Sequence, residues 1–310
     1  IYLRKIIAIG ILGAALASCS TGIESTKPIK MNKEDVKLMA KSEEQKLAES
    51  LQGLPLSAWE KGKRFLAMSD RTFYIFEPTG SISDPDKESL SGKILTYEGL
   101  DTHVNPDLKD ECVIIFSDGS NIFRYRTKKS TAEAMSEIDS SKLPLLSDLD
   151  LVESWKEKLK GSALWTKSNL WYDKSGNRQN GLKFAKVTVS DVLPTTGDFP
   201  MQVMITGPGG EEAFLQMNYT SDQHDSRNFA AIFSLSDPKR RYPQISEENW
   251  ALIQKGKVGL GMTKEECKLA IGNPDELRTG HNRVQTMDIW QYSDGTYLFF
   301  TDGLLNEFRQ

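Results

Sequence analysis

The pattern of apolar and polar residues predicts short, paired strands in two parts of the chain. In the first part, "CVIIF" and "NIFRYRT" flank Asp118 and Gly119, which supply the turn of a tight hairpin. In the second part, "MQVMI" and "AFLQMNY" flank the longer loop "TGPGGEE". Each part has about five short strands in about 75 residues, which favours a small β barrel.

The two parts are similar to each other in order and spacing. Gly62 aligns with Gly161 and Thr127 with Thr220, at offsets of 99 and 93 residues. This period is longer than the roughly 20 to 50 residues of solenoid repeats, so it predicts a duplicated domain. The strand pattern of both copies resembles the SH3-like barrels of exported bacterial proteins, which implies two mainly-β domains.

A short helix is predicted between the two copies. Leu151, Trp155 and Leu159 recur at i, i+4 and i+8, which places them on one face of a helix. Asp148 or Asp150 is the expected N-cap residue.

A second helix with two marked ends is predicted in "GMTKEECKLAIGNPDE". Thr263 and Glu266 have the spacing of a capping box, and Met262 and Cys267 have that of a hydrophobic staple. Gly272 supplies the C-terminal stop, and a proline follows it. We therefore interpret the glycines of this stretch as helix and turn residues, since neither the dinucleotide fingerprint nor the P-loop pattern is complete.

The rest of the tail predicts one more helix and a meander. A helix is predicted in "ISEENWALIQKGKV", with Ser246 as its N-cap and Gly256 as its stop. Three aromatic-rich strands follow, "DIWQY", "TYLFFT" and "LLNEFR", and the glycine-containing turns between them are typical of hairpins. The predicted order is α-α-β-β-β.

This tail resembles the SmpA/OmlA (BamE-like) domain family. The resemblance implies an α+β domain that binds proteins without catalysing a reaction. It covers about the last fifth of the chain and consists of fold-defining residues. The matching positions are Gly261, Met262, Thr263, Gly272, Pro274, Trp290, Tyr292 and the turn Asp302-Gly303.

The N-terminal segment has the pattern of an export signal. Arg4 and Lys5 precede an apolar run from Ile6 to Ala17, which is shorter than the roughly 20 residues of a membrane-spanning helix. Residues 16–19, Leu-Ala-Ser-Cys, resemble the lipobox of bacterial lipoproteins, which implies lipidation of Cys19. Ser20 after the cysteine is compatible with delivery to the outer membrane of a Gram-negative cell, and we expect the protein to face the periplasm. The polar, Lys- and Glu-rich residues 20–52 are expected to form a tether.

Charge and cysteine content narrow the function classes further. The formal net charge of −4 gives no basic footprint for nucleic acid. Cys112 and Cys267 are the remaining cysteines in a compartment expected to be oxidising. Two interpretations stay open: they form one disulfide, or each fills an apolar core as a free thiol.

The candidate binding residues are Trp165, Trp171 and Tyr172 in "LWTKSNLWYD". Strand alternation places the two tryptophans on the same side if no turn or bulge intervenes. Either they fill a barrel core, or they line a groove for peptide or glycan, where aromatic side chains supply contact area.

The chemistry-bearing residues predict neither an active site nor a metal or cofactor site. His103, His224 and His281 lie in separate segments without zinc-type spacing. Asp222, His224 and Asp225 form a weak acid/base cluster without a recognisable nucleophile.

The sequence therefore predicts a multidomain α+β protein: a non-catalytic envelope lipoprotein that binds other proteins as a scaffold. A cell-wall or glycan-binding lipoprotein and a hydrolase with a dispersed site are the alternatives. The predicted organisation is a signal peptide (1–19), a tether (20–52), a first β domain (53–130), a linker with a short helix (131–160), a second β domain (161–236) and the BamE-like domain (245–310).

Overall fold

The computed structural model describes residues 41–77, 89–104, 110–222, 224–281 and 285–309, without the side chain of His281. These described residues belong to one compact unit. The predicted signal peptide, the lipidation site Cys19 and residues 20–40 of the predicted tether lie outside the described residues. The described part is a mixed α+β fold with three mostly antiparallel sheets. Among its helices, none is both long and apolar enough to cross a bilayer.

The first sheet is antiparallel and has the order β4-β3-β2-β1-β5. One hydrophobic core cluster packs against this sheet, and Phe65, Ile114 and Phe116 are fully buried in it. A helix, α2 (Thr131–Glu137), lies between β4 and β5, and 3-10 turns occupy Leu56–Ala58, Asp70–Ile75 and Ser140–Lys142. The strands are β1 (Arg64–Ala67), β2 (Ile94–His103), β3 (Glu111–Ser117), β4 (Ile122–Ser130) and β5 (Leu146–Asp148).

The second sheet has the order β12-β6-β9-β10-β11-β7-β8, and its strands pair antiparallel. The amphipathic helix α3 (Leu149–Leu159) packs its apolar face against this sheet, and α4 (Phe229–Ile232) precedes β12. The strands are β6 (Ala163–Thr166), β7 (Leu170–Tyr172), β8 (Arg178–Asn180), β9 (Lys186–Pro194), β10 (Met201–Thr206), β11 (Glu212–Met217) and β12 (Phe233–Ser234).

The two sheets share one strand order. In the first sheet, β1 to β4 are consecutive neighbours, and β5 adds to the free edge of β1 after a helix. In the second sheet, β6, β9, β10 and β11 repeat that series, and β12 adds to the free edge of β6, again after a helix. The hairpin β7-β8 is an insertion between the first two strands of this second series.

The short β6-β7 connection forces the second sheet to curl. Three strands lie between β6 and β7 in the sheet, so a flat sheet would separate them by about 19 Å. Only residues 167–169 join Thr166 to Leu170, and such a link spans at most about 14 Å. The sheet therefore bends back on itself around its core.

The predicted linker 131–160 contributes β5 to the first sheet and α3, which packs against the second sheet. The short helix is confirmed: Asp148 caps α3 by accepting hydrogen bonds from the backbone N–H groups of Asp150 and Leu151. The residues just before it form β5, which completes the first sheet. The three-residue strand "LSD" is too short to show a strand period, so the sequence pattern did not reveal it.

The prediction of a solvated tether up to residue 52 was wrong for its last part. Residues Glu43–Ser50 form a helix, α1, which begins with a capping box at Ser42. Ala48 is buried in the core of the second sheet, and Leu47 and Leu51 pack against that core. The segment has few apolar residues, but they lie on one face, and docking onto a large core stabilises such a helix.

The tail contains the two predicted helices, α5 (Glu247–Gln254) and α6 (Lys264–Ile271), and a four-stranded sheet in the order β13-β14-β15-β16. Three strands were predicted, and the additional strand is β13 at the edge. Its sequence "ELRTGH" has a single large apolar residue, Leu277, which is 57% exposed, so no apolar alternation marks it. The strands are β13 (Glu276–His281), β14 (Thr286–Gln291), β15 (Tyr297–Thr301) and β16 (Leu304–Arg309).

The predicted ends of α6 are confirmed. Thr263 and Glu266 form the capping box, and Gly272 ends the helix with a φ of 91°. Met262 and Cys267 are buried in the same core. Cys112 lies in the core of the first sheet, and both cysteines are free, so the interpretation as separate core thiols is the one that holds.

Candidate functional site

A pocket of about 500 Å³ lies where the second sheet meets the helices of the tail. Four segments distant in sequence form it: the β6-β7 connection, the β8-β9 connection, the stretch from β12 to Tyr242, and α6. This volume is within the range of about 300 to 1,000 Å³ that ligand pockets occupy. The lining residues, called the cationic pocket below, are Lys167, Phe184, Ser234, Ser236, Asp237, Pro238, Arg240, Arg241, Tyr242 and Leu269.

Phe184 forms one apolar wall from a constrained backbone. Its φ is 54°, which is rare for a bulky residue and costs on the order of 1 to 3 kcal/mol. The Phe184 N–H donates to the carbonyl of Thr166, and the side-chain amide of Gln254 donates to the carbonyl of Phe184 at 3.5 Å. The conformation therefore belongs to a hydrogen-bonded framework that directs the ring into the pocket.

The buried Trp250 supports two aromatic walls from behind. Its ring centroid lies 5.8 Å from that of Phe184 and 6.4 Å from that of Tyr242. Lys183 fixes the third apolar wall, because its Nζ donates to the carbonyl of Ala270 at 2.7 Å, at the end of the helix that carries Leu269. The apolar part of the pocket is thus held in place by the core of the tail.

Lys167 is the half-buried cation of the pocket. Its Nζ donates to the carbonyl of Ala230 at 2.7 Å. Burial lowers the pKa of the Lys167 ammonium; the Glu44 carboxylate opposes this effect, and Arg241 adds to it. An anion bound beside this ammonium would offset the cost of its burial.

Glu44 of α1 lies behind the pocket and is itself buried. It accepts hydrogen bonds from the Ser234 hydroxyl at 3.2 Å and from the Leu235 N–H at 2.9 Å. Although burial raises the pKa of the Glu44 carboxyl, the Leu235 N–H, other hydrogen bonds and the Lys167 charge hold it below its usual value. The charged form of Glu44 is therefore favoured near Lys167.

Arg240 and Arg241 are exposed at the mouth of the pocket, in the 3-10 turn Pro238–Arg241. Across the described ranges, neither side chain makes a hydrogen bond or an ion pair with another residue. The neighbouring Lys239 differs, because its Nζ pairs with Glu247 at 2.8 Å. Two guanidinium groups are thus available to an anion, with the planar fork geometry that suits a carboxylate.

The sequence-based candidates lie elsewhere, and the structure does not bring them together. Trp171 is 3% exposed in the core of the second sheet, and its Nε1 donates to the carbonyl of Ser168 at 3.1 Å. Trp165 is half-buried, with the Lys186 Nζ 5.8 Å from its ring centroid, and Tyr172 stacks on Phe214. A turn separates β6 from β7, so the condition for placing both tryptophans on one side is not met, and Trp171 is a core residue.

The acid/base cluster is an exposed loop. The Nδ1 atom of His224 lies 3.1 Å from a carboxylate oxygen of Asp222, and Asp225 receives hydrogen bonds from the Asn218 amide and the Arg227 N–H. In the described part of the chain, no three His, Cys, Asp or Glu side chains are placed to hold a metal ion together.

The matched positions of the tail are structural. Met262, Trp290 and Tyr292 lie in one core, and the Tyr292 hydroxyl donates to the carbonyl of Gly272 at 3.0 Å. Gly261 has a φ of 83°, which favours glycine. These residues shape the domain and do not line the cationic pocket.

Sequence reasoning missed the cationic pocket because its residues come from four separate segments. The one local signal is "DPKRRYP", which places two arginines and a tyrosine between prolines. It lies between the predicted second β domain (161–236) and the predicted BamE-like domain (245–310). Comparison of the chain with protein-family models, with curated proteins and with solved structures finds no match.

Proposed function

We propose that this chain is a non-catalytic, lipid-anchored envelope lipoprotein that binds other proteins as a scaffold at the outer membrane, facing the periplasm. The observation that carries the binding role is the cationic pocket. Its two arginines make no hydrogen bond or ion pair within the described part of the chain, and its apolar walls pack against the core of the tail. The anchor rests on the lipobox resemblance at Cys19.

SH3-like topology is the finer fold assignment proposed for the first two sheets. Its support is the shared strand order, in which a fifth strand joins the edge of the first after a short helix. The same order in both sheets also supports duplication. Gly62 and Gly161, which align in the sequence, both have a positive φ and both lie just before the first strand of their sheet.

A BamE-like fold is proposed for the tail. Two capped helices followed by an antiparallel meander support it, together with the contact between Tyr292 and Gly272. The extra edge strand β13 is a departure from the predicted order.

Photo-crosslinking in cells tests the scaffold function. A photoreactive amino acid replaces Ser236, which is exposed and lines the pocket, or Lys158, an exposed control residue on α3. We expect discrete adducts with envelope proteins from position 236 and none from position 158. Equal patterns at the two positions, or no adduct from position 236 at matched abundance, would contradict the proposal.

Fractionation tests the anchor separately. The chain should sediment with the outer membrane, and a Cys19→Ala variant should not. If both forms partition alike, the lipid anchor is wrong while the binding role stands.

A further inference from the structure

The charge balance of the cationic pocket restricts its ligand. Lys167, Arg240 and Arg241 contribute three positive charges, and Asp237 contributes one negative charge. The Asp237 carboxylate accepts the N–H of Lys239 at 2.9 Å, and this neutral donor leaves its negative charge in the balance. Glu44 removes a further charge from behind, so an excess of about one positive charge remains for a ligand.

A single carboxylate matches this excess better than a doubly charged phosphate. Two guanidinium forks at the mouth provide the geometry for a carboxylate. The ammonium of Lys167 lies deeper, where electrostatic interactions are less screened.

The apolar walls require a second feature of the ligand. Phe184, Tyr242 and Leu269 line the same pocket, and the buried Trp250 ring packs behind two of them, Phe184 and Tyr242. A ligand that brought only a charge would leave these walls in contact with water. A large apolar group next to the anion would cover them.

We propose that the cationic pocket binds an acidic segment of a partner polypeptide, with a carboxylate between Arg240, Arg241 and Lys167 and an adjacent large apolar side chain against the three walls. This proposal rests on the proposed scaffold function and specifies the partner's chemistry. It commits to a polypeptide because the combination of one carboxylate and one apolar group within about 500 Å³ is that of two adjacent side chains.

The test uses the mature chain from residue 19 with Cys19→Ser, which removes the lipid. Three fluorescein-labelled twelve-residue peptides share a Gly/Ser background and carry Glu-Phe, Gln-Phe or Glu-Ser at the centre. Fluorescence polarisation at about 50 mM salt should show Glu-Phe binding at least tenfold more tightly than either of the other two peptides. Raising the salt to about 300 mM should weaken Glu-Phe binding severalfold, because exposed arginines contribute to it.

Matched variants assign the binding to the pocket. The double variant Arg240→Gln/Arg241→Gln should weaken Glu-Phe binding at least tenfold. Arg178→Gln, at an exposed arginine of β8, should leave it within twofold. Tyr242→Ala should reduce the preference for Glu-Phe over Glu-Ser. Both target arginines are exposed, so the double variant should keep its thermal midpoint, which circular dichroism checks.

Each outcome decides the proposal. Equal binding of Glu-Phe and Gln-Phe, or full binding by the double arginine variant, would overturn it. Stronger arginine-dependent binding of inorganic phosphate, or of vesicles containing phosphatidylglycerol, would replace the acidic segment with a phosphate ligand. Loss of peptide binding together with intact crosslinks from position 236 would reject the ligand class and leave the scaffold function standing. Peptide binding without crosslinks in cells would support the ligand class and contradict the scaffold function.

Discussion

Replacing Asp148 with Asn is expected to destabilise the protein strongly, although the change is nearly isosteric. The Asp148 carboxylate lies 2.7 Å from the Nζ of Lys63, and the two side chains are 1% and 4% exposed. Removing one partner of a buried pair costs about 3 to 5 kcal/mol when the other charge is left alone. Asp150 remains 2.9 Å from the same Nζ, but its side chain is 54% exposed, so we expect a loss of about 2 to 4 kcal/mol.

Asp148 also caps the helix α3, so the effect of its charge can be tested apart from the effect of its capping. It accepts the N–H groups of Asp150 and Leu151 at 3.0 and 3.3 Å, and Asn caps a helix about as well as Asp. The Asp148→Asn variant therefore keeps the cap and removes only the charge. Asp150→Asn serves as the control, with an expected loss of about 1 kcal/mol or less.

A double-mutant cycle measured by urea unfolding completes the test. Lys63→Met with Asp148→Asn removes both buried charges, so the double variant should be more stable than Asp148→Asn alone, with a coupling energy of at least about 1.5 kcal/mol. If Asp148→Asn costs no more than Asp150→Asn, or if the effects of Lys63→Met and Asp148→Asn are additive, the buried Lys63–Asp148 pair does not stabilise the fold.

Three further predictions concern the cores and the helix caps. Burial, together with the Glu266 carboxylate, raises the pKa of the Cys267 thiol to about 12 from its usual 9.0, so only the unfolded chain loses this proton just above pH 9. The free energy of unfolding should therefore fall with rising pH. Cys267→Val should make this fall shallower by about 1 kcal/mol per pH unit between about pH 9 and 10.5. An unchanged slope would contradict the raised pKa of the Cys267 thiol. Gly181→Ala should lower the free energy of unfolding by about 1 to 3 kcal/mol, because its Cβ would overlap the Trp171 ring. Thermal denaturation should show no such loss for Gly280→Ala, whose Cβ would lie 4.0 Å from the Met287 carbonyl oxygen, an ordinary contact distance. Thr263→Ala should cost about 1 kcal/mol in urea unfolding through loss of the hydrogen bond to the N–H of Glu266, whereas a Ser replacement at the same position should cost a few tenths.

Local patterns predicted the elements that local interactions determine. The capping box at Thr263 and the amphipathic face of Leu151, Trp155 and Leu159 are visible within one or two helical turns, and both are found as expected. The hairpin at Asp118-Gly119 is also present, between β3 and β4. These features depend on residues a few positions apart, so a single sequence contains the information.

Features that depend on distant partners were missed. The strand β5 exists because β1 pairs with it, and β13 exists because β14 does, while neither has an apolar alternation of its own. The helix α1 was interpreted as tether because its apolar residues are few. The cationic pocket joins Lys167 to Arg241, and no local pattern records that these residues meet.

The docking of α1 on the second sheet has a consequence for the order of folding. Leu51 and Leu151 belong to the same core, so about 100 residues, including the whole first sheet, form a loop between them. Closing such a loop in an unfolded chain costs about 4 kcal/mol of entropy. Once β1 and β5 have paired, most of this loop is already closed, and α1 can dock at a much smaller entropic cost. The first sheet is therefore expected to fold before α1 docks on the second sheet. A pulling force on the N-terminus would detach α1 while the first sheet remained intact.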